Sequence, residues 1–170
     1  MPDRPRFQLR MLTTDDYEKL AALILRQSDQ AELIAAYGLS PVEALLISVA
    51  ESKQAWAILF DGAIEGVAGV TEYRRNLCKR PAGIPWLLAT DKFTEFRISL
   101  AKEAKRHLNS LAERYSYLFN YVDSRNTTSI IWLKWLGFTV DEKELYYFHD
   151  PKVPFYLFYL KQPPKINSPE

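Results

Sequence analysis

Phe96, Leu100, Ala104, Leu108, Leu111 and Tyr115 recur three or four residues apart, the spacing of one apolar stripe along a long α-helix. Arg97, Lys102, Lys105 and Arg106 fall on its other face. Two short apolar runs, 84–90 and 118–122, flank this helix. Each reads as a strand, and the first as a fully buried one with Pro85 at its start, where a missing N–H is tolerated. A chain with this succession folds as a sheet carrying helices on its faces, not as an all-helical or all-β domain.

The remaining segments extend the pattern. Residues 7–12 alternate as a half-buried strand, and Thr13/Thr14 followed by Asp15 and Asp16 reads as a helix start with acids at the positive end of the dipole. Tyr17, Leu20, Ala21, Ile24 and Leu25 keep helical spacing. Residues 31–37 repeat the signal up to Gly38, and Ser40-Pro41 opens a third stretch with Val42, Leu45, Leu46 and Val49 inward. Two or three helices therefore follow the first strand. An apolar run at 55–60, the hairpin signal Asp61-Gly62 and β-compatible residues 63–73 form an antiparallel pair.

A basic, proline-containing loop covers 74–83, and Asp91 is the expected N-cap of the long helix. Asn126 starts a short amphipathic helix with Ile130, Leu133 and Leu136 inward; Gly137 closes it in the left-handed conformation, with Phe138 as its apolar partner. Strands at 145–149 and 155–160, joined by 150–154, complete the expected order β-α-α-β-β-β-α-β-α-β-β. This is an α/β (α+β) mixed sheet in a single domain over 1–161, followed by a Pro-rich, flexible tail at 162–170.

Composition narrows the classes of function. A chain of 170 residues that is 48% hydrophobic buries one real core. The single cysteine excludes a disulfide framework, and Cys78 with His107 and His149 is too thin a set for a structural zinc site. No histidine is placed by sequence to make Cys78 a nucleophile. No apolar segment follows the N-terminus and no run approaches the ~20 apolar residues of a membrane span, so a soluble, unsecreted protein is expected. The net charge of +1 conceals a segregation: 15–72 carries ten acids against three bases, and 73–114 carries ten bases against four acids. The basic block reads as a solvated face, or as a contact with the phosphates of a cofactor or nucleic acid. A pI near 7.8 and the lack of a recognition motif count against nucleic acid.

The segment from Asn126 to Phe138, directly after the strand at 118–122, resembles the GNAT superfamily of acetyltransferases, in which a strand is followed by Asn, a short helix and Gly-Phe at this spacing. A closer likeness joins Trp86-Leu-Leu-Ala-Thr-Asp91, the basic helix, Leu118-Phe-Asn-Tyr-Val122, Asn126-Thr127, and Leu133-Lys134 leading to Gly137. These stretches resemble the small internal core (internal virion) proteins of short-tailed phages, which are GNAT-like. The resemblance implies a GNAT-like acetyltransferase fold, a phage or prophage origin, and a role in virion assembly through contacts with other virion or phage proteins. It places the chain in the bacterial host cytoplasm or the virion. A homo-oligomer is a further contact open to it.

Departures from a working acetyltransferase are as informative. GNAT enzymes place Gln/Arg-x-x-Gly-x-Gly/Ala between the fourth strand and the following helix, where backbone N–H groups close on the pyrophosphate of CoA. Residues 90–96 contain no glycine, and Asp91 and Glu95 bring negative charge, offset in part by Lys92 and Arg97. The tyrosine that supplies a proton to the leaving thiolate, seven residues beyond the motif's Asn, corresponds to Leu133. Residues 84–90 hold no carboxylate for a general base; Asp91, Glu72 and Glu65 are neighbours only, and Tyr146 or Tyr147 would have to substitute for the acid. The expectation is a noncatalytic protein with no assigned catalytic residue, metal or cofactor. The alternative is an acetyl-CoA-dependent N-acyltransferase in which main-chain groups of Leu88, Ala89 and Thr90, with Asn126, hold the pantetheine of acetyl-CoA or CoA in a splayed sheet. Basic residues of 92–106 would then meet its phosphates. The 23 aromatic residues exceed an obvious core, which marks Trp132, Trp135, Tyr146, Tyr147 and Phe148 as candidate interface residues.

Overall fold

A computed structural model describes residues 6–74 and 80–161. In chain order it contains β1 (Phe7–Met11), a 3-10 turn (Thr14–Asp16), α1 (Tyr17–Ala21), α2 (Gln27–Tyr37), α3 (Pro41–Glu51), β2 (Gln54–Phe60), β3 (Ala63–Tyr73), β4 (Ala82–Ala89), α4 (Phe93–Arg114), β5 (Leu118–Asp123), α5 (Thr127–Leu136), β6 (Thr139–Tyr146) and β7 (Phe155–Leu160). The strands form one mixed sheet in the order β1-β2-β3-β4-β5-β7-β6. Asp61 and Gly62 turn the β2–β3 hairpin with φ of 50° and 82°, as their type predicts.

Every pairing is antiparallel except β4 with β5, which run parallel and meet only at Gly83 and Leu118. Gly83 is required there, because a Cβ would lie 2.6 Å from Leu118 Cδ2 and 2.9 Å from Tyr115 Cδ2. Beyond that pair the two strands diverge. Asn120 Nδ2 still reaches Pro85 O at 3.0 Å, and past that bond no main-chain pairing joins β4 to β5. The sheet thus opens into a V at its centre.

Each face of the sheet has its own core. The α4 stripe (Phe93, Phe96, Leu100, Leu108 and Leu111) packs with α5 over Val70, Ala89, Leu118 and Val122. On the opposite face Leu20, Leu33, Leu45 and Val49 of α1–α3 cover Val67 and Leu88.

Four expectations need correction. The first helix ends at Ala21, and Ile24 is 80% exposed instead of continuing the buried stripe. The second begins at Gln27, four residues before the apolar pattern shows it. Asp91 does not cap α4: it stays exposed, while Thr90 supplies the acceptors, its carbonyl to Phe93 N–H at 3.1 Å and its hydroxyl to Lys92 N–H at 3.2 Å. The strand expected at 145–149 lies at Thr139–Tyr146 instead. It begins two residues after Gly137 and occupies a sheet edge, so the charged residues Glu142, Lys143 and Glu144 stay in water and hide the strand pattern. The chain beyond it docks on α2, with His149 N–H and Asp150 N–H donating to Ala36 O and Ala35 O at 3.3 and 2.9 Å. Cys78, much of the basic loop and the Pro-rich tail lie outside the described residues.

Candidate functional site

α2 lies across the end of β4 at the mouth of the V. Arg26 N–H donates to Ala89 O at 2.9 Å, and Asp29 Oδ2 accepts the Ala89 N–H at 2.9 Å. Asp29 Oδ1 holds Arg26 Nη2 at 2.9 Å, and the same nitrogen donates to Ser129 Oγ on α5 at 2.9 Å. The guanidinium lies over the Phe93 ring, 4.1 Å from its centroid. Both charged residues are buried, and Arg26 Nε has no hydrogen-bond partner among the described residues. Burial raises the Asp29 carboxyl from its ordinary value, opposed by Arg26.

Strand alternation settles which main-chain groups face the V. Thr90 N–H donates to Glu65 O on the β3 side at 2.9 Å, so Leu88, two residues back, also turns its N–H and C=O toward β3. Leu87 and Ala89 turn theirs toward β5.

One helical turn beyond Asp29, Glu32 Oε2 accepts Asn126 Nδ2 at 3.1 Å and Asp123 N–H at 3.3 Å. Asn126 caps α5 with its other atom, since Oδ1 accepts Ser129 N–H at 3.3 Å. Asp123 is buried and paired with Arg125 at 2.6 Å. Of the three carboxylates Asp29, Glu32 and Asp123, only Glu32 is in no ion pair among the described residues, although Arg125 is near enough to act on it through its charge. Burial raises its carboxyl to about 7, the Asn126 amide opposes that shift, and the charges on Asp29 and Asp123 add to it. Glu32 lines a cavity of ≈ 160 Å³ whose wall includes Tyr37, Trp86, Tyr121 and Phe148.

Asn126 and the main chain of Ala89 face this site, but each main-chain group of Ala89 already has a partner, and Leu88 lines the cavity while its main-chain groups pair toward β3. Thr90 is turned away, its hydroxyl on Glu65 Oε2 at 2.6 Å. Leu133 is buried on the cavity wall. Trp132 is buried as well, donating to Arg97 O at 3.1 Å, and so is not a surface residue; Trp135, Tyr147 and Phe148 are exposed. Tyr146 packs on Tyr121 with centroids 5.0 Å apart. Glu72 lies 3.5 Å from Tyr115 OH, outside the cavity. His107 is half-buried and packs against Trp56, with centroids 5.4 Å apart and the rings tilted. Sequence reasoning missed Arg26, Asp29 and Glu32. Their spacing of three, in step with Leu33 and Ala36, was the available sign of an inward charged row.

No protein-family profile and no curated protein matches this sequence. Solved structures do. A GNAT-family acetyltransferase from Streptococcus pneumoniae superposes with a TM-score of 0.63 at 14% identity, over 91% of this chain and 98% of that one. An aminoglycoside N(6')acetyltransferase from Legionella pneumophila gives 0.66 at 11% identity, over 94% of each chain. A spermidine N-acetyltransferase from Vibrio cholerae, solved with CoA and spermine, gives 0.64 at 11% identity, over 91% and 95%. A splayed mixed sheet with helices on both faces is thus one seen in N-acetyltransferases. The chain has the GNAT acetyltransferase fold.

Acetyl-CoA, the cofactor that fold implies, does not fit the residues present. A phosphate at the start of α4 needs free amides. Here Lys92 N–H and Phe93 N–H are held by Thr90, and Glu95 N–H by Lys92 O at 2.8 Å. The space between that helix start and α5 is filled by Phe93 and Trp132, edge to face at 5.4 Å, with Arg26 stacked on Phe93. On β4, Asp29 and Arg26 take the Ala89 groups that a pantetheine arm would use. Among the described residues no group of three His, Cys, Asp or Glu is placed to hold a metal ion, and no single helix is long and apolar enough to cross a membrane.

Proposed function

We propose that this chain is a noncatalytic binding protein on the acetyltransferase frame, one in which α2 has replaced acetyl-CoA at the mouth of the V. The observation that carries this reading is the double bond of α2 to Ala89, Asp29 to its N–H and Arg26 N–H to its C=O. The Arg26 main-chain bond to Ala89 C=O, and the bond of the ion-paired Asp29 carboxylate to Ala89 N–H, must break before a cofactor amide can pair with those groups. Leu133, where a proton donor would stand, supports the same reading. The likeness to internal virion proteins supports a phage or prophage setting with virion proteins as partners. Exposed Ile131 and Trp135 on α5 and Tyr147 and Phe148 beyond β6 provide apolar contact surface for them.

A second reading, an acyl-CoA-dependent N-acyltransferase, is supported by the neighbouring enzymes and by Glu32, whose proton affinity suits a general base near neutral pH. Calorimetry with acetyl-CoA and CoA separates the two. No heat of binding at micromolar to millimolar cofactor is expected. Micromolar binding, followed by acetyl transfer that Asn126→Ala abolishes, would overturn the first reading in favour of the second.

A further inference from the structure

A second cavity, ≈ 120 Å³, lies on the opposite face of the sheet beneath α4. Its wall is apolar apart from His107, and includes Leu100, Ala104 and Leu108 of α4. Pro85, Trp86, Leu87, Trp132, Leu133 and Phe158 line both cavities, so the two abut at the gap between β4 and β5. That gap is a bounded window. The Asn120–Pro85 bond closes one end and the Asp29–Ala89 bond the other, and Leu87 is the β4 residue between them whose main chain faces across.

The chemistry changes across the window. On the cavity wall of the α2 side Glu32 is the carboxylate held in no ion pair among the described residues: Oε2 accepts two neutral donors, Oε1 accepts no hydrogen bond from them, and the nearby Arg125 guanidinium is committed to Asp123 and reaches Glu32 only through its charge. Aromatic rings of Tyr37, Trp86, Tyr121 and Phe148 share that wall, a setting that favours an ammonium group by its charge and by ring quadrupoles. On the α4 side nothing offers the hydrogen bonds a pantetheine amide would need. An apolar cavity of about 150 Å³ accommodates six-carbon benzene, so this smaller one, together with the window leading into it, takes a tail of at most about six carbons.

We propose that the two cavities form one site for a small cationic amphiphile, with its ammonium at Glu32 and its hydrocarbon tail passing between β4 and β5 into the cavity under α4. The inference rests on the noncatalytic reading, since the tail occupies the slot that a cofactor arm would otherwise need.

The test is calorimetry on the full chain at pH 8 with hexylammonium, ethylammonium and hexanol, with CoA titrated separately. Hexylammonium is expected to bind at least tenfold more tightly than ethylammonium, because four more methylenes leave water. Glu32→Gln should weaken hexylammonium at least tenfold and change hexanol less than twofold. Ala104→Leu, which fills the lower cavity from a helix that tolerates leucine, should erase the difference between the two amines. Equal affinity for the two amines, or hexylammonium binding that Glu32→Gln leaves unchanged, would overturn the site. Absence of amine selectivity together with absence of CoA binding overturns only this inference, whereas tight CoA binding overturns the noncatalytic reading itself.

Discussion

The Asp29 carboxylate accepts the Ala89 N–H at 2.9 Å and joins the start of α2 to the last residue of β4, 60 positions away. The same carboxylate neutralises Arg26, so its loss leaves a buried guanidinium without its counter-charge and a buried amide without an acceptor. Asp29→Ala is expected to cost about 3–5 kcal/mol in urea unfolding. Asp29→Asn keeps an acceptor for Ala89 but strands the Arg26 charge. Arg26→Met with Asp29→Asn removes that charge and retains an unbranched chain against Phe93, so the double variant should be more stable than Asp29→Asn alone. If it is less stable, the pair contributes net stability beyond its mutual neutralisation.

Glu32 gives stability a pH dependence of definite sign. Its carboxyl titrates at about 7 in the folded chain against an ordinary value of 4.5, so between these pH values the native state holds a proton that the unfolded state has released. The stabilisation linked to Glu32 is complete below the unfolded value and is lost as pH rises through about 7, a change of about 3 kcal/mol at most. Urea midpoints measured from pH 5 to pH 8 should fall over this interval. Glu32→Gln, which still accepts from Asn126 and Asp123, should flatten the fall and exceed the parent at pH 8. A parent profile that rises from pH 5 to pH 8 would contradict the assignment.

Local signals carried much of the fold. Asp61-Gly62, the α4 stripe, and the Asn126 and Gly137 caps are each decided by neighbours in sequence, and each stands where its residue types place it. β6 was hidden because an edge strand keeps charged residues in water, which erases period-two alternation. The start of α2 was hidden for the opposite reason. Asp29 is polar yet buried, and the partner that makes this tolerable lies on another element. For the candidate site the same division holds: Asn126 was legible as a cap, but Glu32 acquires its character from burial among other elements, tempered by the Asn126 amide 94 positions away.

Asn126 serves two structures, so its variants separate them. Asn126→Ala removes the cap of α5, at a cost of about 1–2 kcal/mol, and also the amide that favours the charged form of Glu32. The midpoint of the pH profile should therefore move upward as well. Asn126→Asp keeps an acceptor for Ser129 N–H but replaces the donor to Glu32 with a second negative charge. Its unfolding free energy at pH 5 should lie closer to the parent than that of Asn126→Ala, while its Glu32 midpoint should lie highest of the three. Equal midpoints in all three proteins would show that Asn126 does not control Glu32.

Gly83 controls where the V begins, because it forms the one main-chain pair between β4 and β5. The atoms a new Cβ would strike belong to Leu118 and Tyr115, both fully buried, so neither side chain can swing into solvent. Gly83→Ala should cost about 1–3 kcal/mol through overpacking. Leu118→Val removes the Cδ2 atom that lies 2.6 Å from the new methyl. The double variant should therefore recover part of the loss, with a coupling of about 1 kcal/mol in a double-mutant cycle. The loss at Gly62→Ala has a different origin, since no atom lies within 4 Å and only the φ of +82° opposes a side chain. No change at Leu118 should rescue it. Additive effects of Gly83→Ala and Leu118→Val would mean that strand separation is set elsewhere along β4 and β5, not at this pair.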